Sequence, residues 1–242
     1  MTKNDWLFSS DPLEMLYQFG GEISSRKARL FACACYRRTR ICQQTQLYRN
    51  AVVFAERCAE IPPRTDEHSE SDDDTPEDDG LLLDPPKPAE YLNTDETDEQ
   101  LPFAVCVLRS ESHLAAREAA LEAIEDAGAR VNFMSGLWHS ARESEAAELA
   151  SLLRDIVGLP GAILAVDPDW LAWQDQTVVR LARAAYDDRE LPSGHLDPNR
   201  LAVLADALEE AGCTNDDILG HLRTPGPHVR GCWVVDSLLS KV

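Results

Sequence analysis

The residue types of a metal site occur near the end of the chain, as two cysteines and two histidines. Cys213, His221, His228 and Cys232 follow one another at spacings of 8, 7 and 4 residues. Thiolate and imidazole groups are ligands that zinc binds tetrahedrally, and a helix would place His228 and Cys232 on one face. These spacings match no known zinc finger, and buried cysteines often serve only as small apolar groups. Zinc binding is therefore the alternative to simple core packing at these positions.

The segment between Ser24 and Cys42 contains six arginines and lysines and no acidic residue. At about 100° per residue, four of the arginines fall within an arc of about 80° on a helix. Such a stripe can bind phosphate or an acidic partner, although a solvated helix face is the simpler interpretation. A further arginine, in the segment PGPHVRGCW, is also a candidate for binding an anion. The partner- or anion-binding candidates are Arg26, Arg29, Arg37, Arg40 and Arg230.

Arg38 differs from the rest of the basic run, because the same helical projection places it in the middle of the apolar face. A buried arginine needs an acidic partner. The acidic residues of the closing segment can supply one, and such a structural ion pair would tie the two ends of the chain together. The candidate partners are Asp187, Asp188, Asp206, Glu209 and Asp236.

Signatures of common enzymes are absent from the sequence. It contains no glycine-rich phosphate loop, nucleophile elbow, HExxH motif or CxxC motif. Cys33 and Cys35 would lie about 200° apart on a helix, so packing explains them better than joint binding of a metal. The sequence therefore favours a protein without catalytic residues and without a cofactor, apart from the zinc of the alternative above.

Composition narrows the function classes further. The 242 residues include 23 Lys+Arg against 43 Asp+Glu, which gives a formal net charge of −20. This charge argues against a general binder of nucleic acid or of acidic membranes. Seven cysteines, an odd number in a chain of this size, favour reduced thiols and a cytoplasmic protein. The opening residues lack a secretory signal, and no apolar stretch reaches the roughly 20 residues of a membrane span.

Charge and proline content divide the chain into three parts. Residues 61–100 hold 15 acidic and 2 basic residues, with repeated prolines and no helical period. Such a segment cannot bury enough apolar surface to offset the entropy lost on ordering. We predict an N-terminal helical block at 1–61, an acidic disordered linker at 62–100 and a C-terminal helical block at 101–242. Because a block of about 60 residues has little interior of its own, we expect the two blocks to share one core.

Helical signals recur through both blocks. Asp11-Pro12 and Asp167-Pro168 each combine an N-cap residue with a proline in the first turn. Ser24 can cap a segment whose apolar residues keep helical spacing. About nine helices and no clear strand follow from these patterns. The predicted fold is therefore all-α, an irregular multi-helix domain formed by the two blocks.

Two blocks of the sequence are similar to a known family. The first reads WLFSSDPLEMLYQF and SSRKARLFACACYRR, and the second includes ADALEEAGC and PGPHVRGCWVVD. They resemble a large paralogous family of uncharacterised proteins expanded in planctomycete bacteria. The resemblance implies that both blocks belong to one unit around a variable middle, and it implies no activity, cofactor or partner.

These observations predict a cytoplasmic helical module for protein interaction or scaffolding. Its expected partner is a protein rather than nucleic acid or a membrane, and the oligomeric state stays open. One alternative is a zinc- or anion-binding helical domain that uses the C-terminal Cys/His block. The other is a hydrolase whose active site carries no recognisable motif.

Overall fold

The computed structural model describes residues 3–61, 112–131, 137–159 and 164–241. Within these ranges the chain forms eleven α-helices, and the predicted all-α fold is confirmed. Extended pairing in the same ranges is limited to one bridge between His195 and Val229. The acidic linker predicted at 62–100 lies outside the described residues. The helices are α1 (Lys3–Phe8), α2 (Pro12–Phe19), α3 (Ser25–Arg38), α4 (Arg40–Gln44), α5 (Gln46–Ala59), α6 (Ser112–Ala129), α7 (Trp138–Val157), α8 (Pro168–Asp187), α9 (Pro198–Glu210), α10 (Asp216–Arg223) and α11 (Trp233–Leu238).

Capping side chains set where several of these helices begin. Ser24 accepts the backbone N–H of Lys27 at 3.3 Å and so begins α3. Asp167 and Asp197 each accept the N–H two residues further on, and a proline follows each of them as the first residue of a helix. Thr39 has an extended backbone, with φ −69° and ψ 147°, which separates α3 from α4. A single helix predicted through this region is therefore two.

The first hydrophobic cluster forms around α3. Every residue from Leu30 to Tyr36 is buried, including Cys33 and Cys35, so α3 is covered on nearly all sides. Helix α6 packs against α3 with a face of small residues, which lets the two backbones approach closely. The N-terminal block thus packs on helices from the C-terminal block. The small residues are Ala116, Ala119, Ala120 and Ala123.

The second hydrophobic cluster is formed by helices α8 to α11. Leu201, Leu204 and Leu208 of α9 are completely buried in it. The first cluster thus contains residues of both predicted blocks, and the second is formed within the C-terminal block. None of the helices in the described ranges is long and apolar enough to cross a lipid bilayer.

Buried ion pairs connect the two clusters. The Glu56 carboxylate on α5 accepts from Arg37 Nε at 2.7 Å and from Arg189 Nη2 at 2.5 Å. Arg37 also donates to the carbonyl oxygen of Pro192 at 2.7 Å. All three charged side chains are at most 7% exposed. Because Arg37 and Glu56 belong to the first cluster and Arg189 leads into the second, these bonds hold the clusters against each other.

Arg38 makes a structural ion pair, but not with the closing segment. Its guanidinium binds Glu145 on α7, with Nη2 and Oε2 3.0 Å apart, and its side chain is 25% exposed. Arg37, which was expected on the solvated stripe, is the more buried of the two. The physical reason is that α3 is surrounded by other helices, so no side of it is simply apolar or simply solvated.

The shared carboxylate of Glu56 gives a first testable prediction. Glu56→Gln leaves both Arg37 and Arg189 without a charged partner in the interior, and we expect the free energy of unfolding to fall by about 3 kcal/mol. The measurement is urea unfolding followed by circular dichroism. Glu209→Gln is the matched control, because Glu209 binds Arg223 on the surface and is 58% exposed. Equal losses in the two variants would contradict a connecting role for Glu56.

Candidate metal centre

Four potential metal ligands converge where α7, α10 and the start of α11 meet. Asp155, His221, His228 and Cys232 each offer one ligand atom, and these atoms all lie within 4.8 Å of one another. Asp155 Oδ1 is 2.7 Å from His228 Nδ1 and 3.1 Å from His221 Nε2. His221 Nε2 is 3.3 Å from Cys232 Sγ. The four atoms therefore form one compact group of potential ligands.

Each ligand is brought to the site by a local feature of the chain. Asp155 lies in the last turn of α7, with its side chain in the interior, and His221 lies in the last turn of α10. The Asn215 side chain caps α10 by accepting two N–H groups. His228 lies in the loop between α10 and α11, and Cys232 is the N-cap residue of α11.

Two glycines make this loop tight enough to return His228 and Cys232 to the site. Gly226 has φ +100°, and a Cβ atom there would come within 2.8 Å of the His228 backbone nitrogen. Gly231 has φ +94°, and its Cβ would come within 3.1 Å of Leu30 Cδ1. Both positions lie in the left-handed region that glycine adopts without strain.

Outer hydrogen bonds orient two of the ligands. His228 Nε2 lies 3.1 Å from the carbonyl oxygen of Thr224, and since a carbonyl only accepts, this nitrogen carries a proton. The ring is thereby fixed with Nδ1 facing the other three ligand atoms. The second oxygen of Asp155, Oδ2, accepts the backbone N–H of Val229 at 2.9 Å, which leaves Oδ1 directed into the site. Metal-binding histidines and carboxylates are commonly held in this way.

The composition and charge of the group suit a zinc ion, and its dimensions approach those of a tetrahedral site. With bond lengths of about 2.0 Å to nitrogen or oxygen and 2.3 Å to sulfur, neighbouring ligand atoms are separated by roughly 3.3–3.6 Å. The contact between His221 and Cys232, at 3.3 Å, lies at the edge of this range, whereas Asp155 and His228, 2.7 Å apart, would have to separate to admit an ion. One carboxylate and one thiolate would balance the double positive charge, so the buried centre would be neutral.

Without a metal, the same groups form a buried network of hydrogen bonds. Burial disfavours a charge on the His228 ring, but the hydrogen bond and negative charge of Asp155 outweigh it and raise the pKa of His228. Burial likewise opposes ionisation of Asp155, yet hydrogen bonds from both histidines lower its pKa. Burial and the Asp155 charge raise the pKa of Cys232 well above its usual value. Without a metal, these contacts therefore favour an ionised Asp155, a protonated His228 and a neutral Cys232 thiol.

Three of the four ligands predicted from the sequence meet here. The fourth, Cys213, is buried in the second hydrophobic cluster, outside the ligand group. Its place is taken by Asp155, which precedes His221 by 66 residues. His228 and Cys232 were expected on one helix face, but they lie on a tight loop and at a helix start. The sequence carried no local signal for Asp155, because it lies about 200° around the helix from Leu153, outside the apolar face.

The basic stripe predicted on α3 is largely engaged inside the protein. Arg26 binds Asp236 at 2.6 Å and Glu60 at 2.9 Å, and Arg37 binds Glu56 as described above. Arg40 is 54% exposed and lies 3.9 Å from Asp126.

The remaining two anion-binding candidates have buried donors. In the described part of the chain, Arg29 Nε and Arg230 Nε are buried without a hydrogen-bond partner. The guanidinium of Arg230 lies over the Tyr186 ring, 5.0 Å from its centre. Arg29 therefore points a buried donor inward rather than lying wholly on the solvated face predicted for the stripe.

No family model, curated protein or solved structure matches the chain. The similarity of the two sequence blocks to the planctomycete family therefore stays a prediction. Function has to be inferred from the geometry and chemistry of the side chains.

The contacts of Glu60 predict how its contribution to stability depends on pH. Burial alone would raise the pKa of Glu60, but hydrogen bonds from Lys241 and Tyr186 and the charge of Arg26 lower it. A lowered pKa in the folded state stabilises the protein above the ordinary value of 4.5, and this contribution is lost as the pH falls through the folded value. We expect wild type to be more stable than Glu60→Gln at pH 7, with the difference shrinking below pH 4.5. Thermal melting at several pH values measures this, and a difference independent of pH would contradict it.

Proposed function

We propose that the protein is a helical binding module stabilised by one structural zinc ion, held by Asp155, His221, His228 and Cys232. The observation that carries the proposal is the convergence of their four ligand atoms within 4.8 Å. The hydrogen bonds from His228 to Thr224 and from Val229 to Asp155 support it, because they leave one lone pair of each ligand facing the centre.

A structural role is favoured over a catalytic one by how closed the site is. Catalytic zinc ions keep a position open for water or substrate, whereas structural ions have four protein ligands. Here the side chains of Asp155 and His228 are 2% exposed, that of His221 is 19% exposed, and Cys232 is completely buried. Four protein ligands would complete the usual coordination of zinc and leave no open position for a substrate. This supports a structural centre rather than a hydrolase.

The position of the site suggests what the zinc stabilises. Asp155 belongs to α7, which packs into the first hydrophobic cluster, while Cys232 and the residues around His221 belong to the second. A metal ion bonded to both would link the clusters directly. Metal binding of this kind contributes to folding, because the unfolded chain has no preformed site.

Metal content and metal-dependent stability test the zinc proposal. We expect one zinc per chain by elemental analysis, and a lower melting temperature after dialysis against a chelator. At free zinc about 1,000-fold above Kd, the linked stabilisation is about 4 kcal/mol, which raises the melting temperature of a domain of this size by roughly 8–16 °C. Cys232→Ser and His228→Ala should each lose both the metal and this stabilisation. Cys213→Ser is the matched control, since Cys213 is equally buried outside the site.

Cobalt gives an independent readout that does not depend on melting. Co²⁺ bound to the wild type should show the intense visible absorption of tetrahedral coordination, with a charge-transfer band from one thiolate. Cys232→Ser should lose that band, and Cys213→Ser should keep it. Protein purified without metal that neither binds Co²⁺ in this geometry nor changes its melting temperature with zinc would overturn the proposal.

A protein partner is the second part of the proposal, and two exposed aromatic side chains support it. Phe8 on α1 is 82% exposed and Tyr17 on α2 is 75% exposed, whereas large aromatic residues are more often at least partly buried. Exposed aromatic side chains of this kind contribute most of the binding energy in many interfaces.

The cysteines of the described ranges are free thiols, which supports the cytoplasmic location that we propose.

Substitution of these aromatics tests the interaction. We expect Phe8→Ser and Tyr17→Ser to leave the melting temperature within about 2 °C of wild type, because both side chains are exposed. The same variants should lose partners that photo-crosslinking captures from this surface of the wild-type protein. The matched control is Val203→Ser, an exposed apolar residue on α9. Crosslinking that is unchanged in all three variants would exclude this surface as the interface.

A further inference from the structure

A cluster of positive charge lies between α3, α5 and the chain that follows α8. Within it, Glu56 is shared by Arg37 and Arg189, and the carboxylates of Glu60 and Asp236 are likewise each shared by two cations. Two further arginines in this region make no ion pair in the described ranges. The cationic cluster comprises Arg26, Lys27, Arg29, Arg37, Arg189, Arg230 and Lys241, against the three carboxylates Glu56, Glu60 and Asp236.

The excess of positive charge is unusual for this chain. The protein as a whole carries a formal net charge of −20, yet in this region seven cations face three contacting carboxylates. Buried charges are normally compensated by a partner of opposite sign. Binding an anion of charge −1 or −2 would therefore reduce the net positive charge of the cluster without reversing it.

Three donors of the cluster are buried and unused. Arg29 Nε, Arg189 Nη1 and Arg230 Nε have no hydrogen-bond partner in the part of the chain that the structure describes. The Arg189 side chain is only 7% exposed, so water does not readily satisfy its free nitrogen. Buried guanidinium donors are rarely left in this state, and each such group needs an explanation.

The contacts of these arginines place them in one neighbourhood. Arg189 binds Glu56 at 2.5 Å. Burial lowers the pKa of Arg189, the charge of Glu56 opposes this effect, and the nearby positive charges of Arg230 and Arg37 lower the pKa further. Arg230 lies over the ring of Tyr186, whose hydroxyl accepts from Arg26 at 2.9 Å. Arg29 follows Arg26 by one turn of α3. Glu56, which binds Arg189, and Glu60, which binds Arg26, are likewise one turn apart at the end of α5. The unused donors therefore belong to residues that neighbour the same group of ion pairs.

We infer that Arg29, Arg189 and Arg230 bind the phosphate group of a small phosphorylated ligand. Guanidinium groups match the oxygens of phosphate in geometry and charge. Phosphate fits better than a carboxylate, because it presents oxygens in several directions and carries enough charge for more than one uncompensated arginine. A nucleic-acid backbone is disfavoured by the overall negative charge and by the depth of Arg189. The inference does not rest on the zinc centre, since the two sites share no ligand.

Inorganic phosphate is the probe that tests this inference on the full chain as purified. At constant ionic strength, calorimetric titration should show saturable binding of one phosphate, and the melting temperature should rise with phosphate concentration. Acetate and succinate should have little effect at the same concentration. Arg230→Gln and Arg29→Gln should each weaken phosphate binding at least about tenfold, as expected for the loss of a hydrogen bond to a charged group.

A second readout separates ligand binding from a structural role. Without phosphate, Arg29→Gln should melt no lower than wild type, because it removes an uncompensated positive charge. Arg230→Gln should melt at most about 4 °C lower, because it also loses its contact with the Tyr186 ring. Arg223→Gln is the matched control: Arg223 is 40% exposed and is already bound by Asp206 and Glu209, so its loss should not change phosphate affinity.

Three results would overturn the inference. The first is no saturable binding of phosphate, and the second is equal affinity for acetate or succinate. The third is an unchanged phosphate affinity in Arg230→Gln and Arg29→Gln together with a lower melting temperature, which would show that these arginines only support the fold. A failure of the zinc experiments would not affect any of these outcomes, because phosphate binding is measured on its own.

Discussion

The structure depends on the compensation of charges that it buries. Asp155 is the clearest case: a buried carboxylate in the last turn of α7 would be strongly destabilising by itself. The His221 ring from α10 contacts it, and the tight loop from Gly226 to Cys232 brings the His228 ring and the backbone N–H of Val229 to it. One buried acid thus explains why the loop, the end of α10 and the start of α11 lie where they do.

The same constraint relates the two hydrophobic clusters to the arginines of α3. Neither cluster alone covers this helix, and its basic side chains cross from one cluster to the other. Arg26 reaches Asp236 on α11, and Arg37 reaches Glu56 and the carbonyl of Pro192. Polar contacts therefore define how the clusters are oriented, while apolar packing stabilises each of them separately. The proposed zinc ion and phosphate group would both lie along this polar boundary.

Local features of the structure could be predicted from the sequence, and contacts between distant segments could not. An aspartate that can cap a helix, followed directly by a proline, predicted that helices begin at Pro12 and Pro168. Both helices begin there. Residue type alone selected His221, His228 and Cys232. Asp155 was missed because its role depends on a loop that returns to it from far along the chain. The positions of Arg37 and Arg38 were exchanged because the rotation of α3 is set by its neighbours, not by its own periodicity.

The alanine face of α6 restricts which sequences this fold can accept. Where two helices touch through methyl groups, their axes lie close together, and a larger side chain has no space to occupy without moving a backbone. Positions such as Ala116 and Ala120 should therefore accept glycine or serine in related sequences, and exclude leucine or phenylalanine even though these are equally apolar. In this part of the interior, size rather than hydrophobicity decides which residues are tolerated.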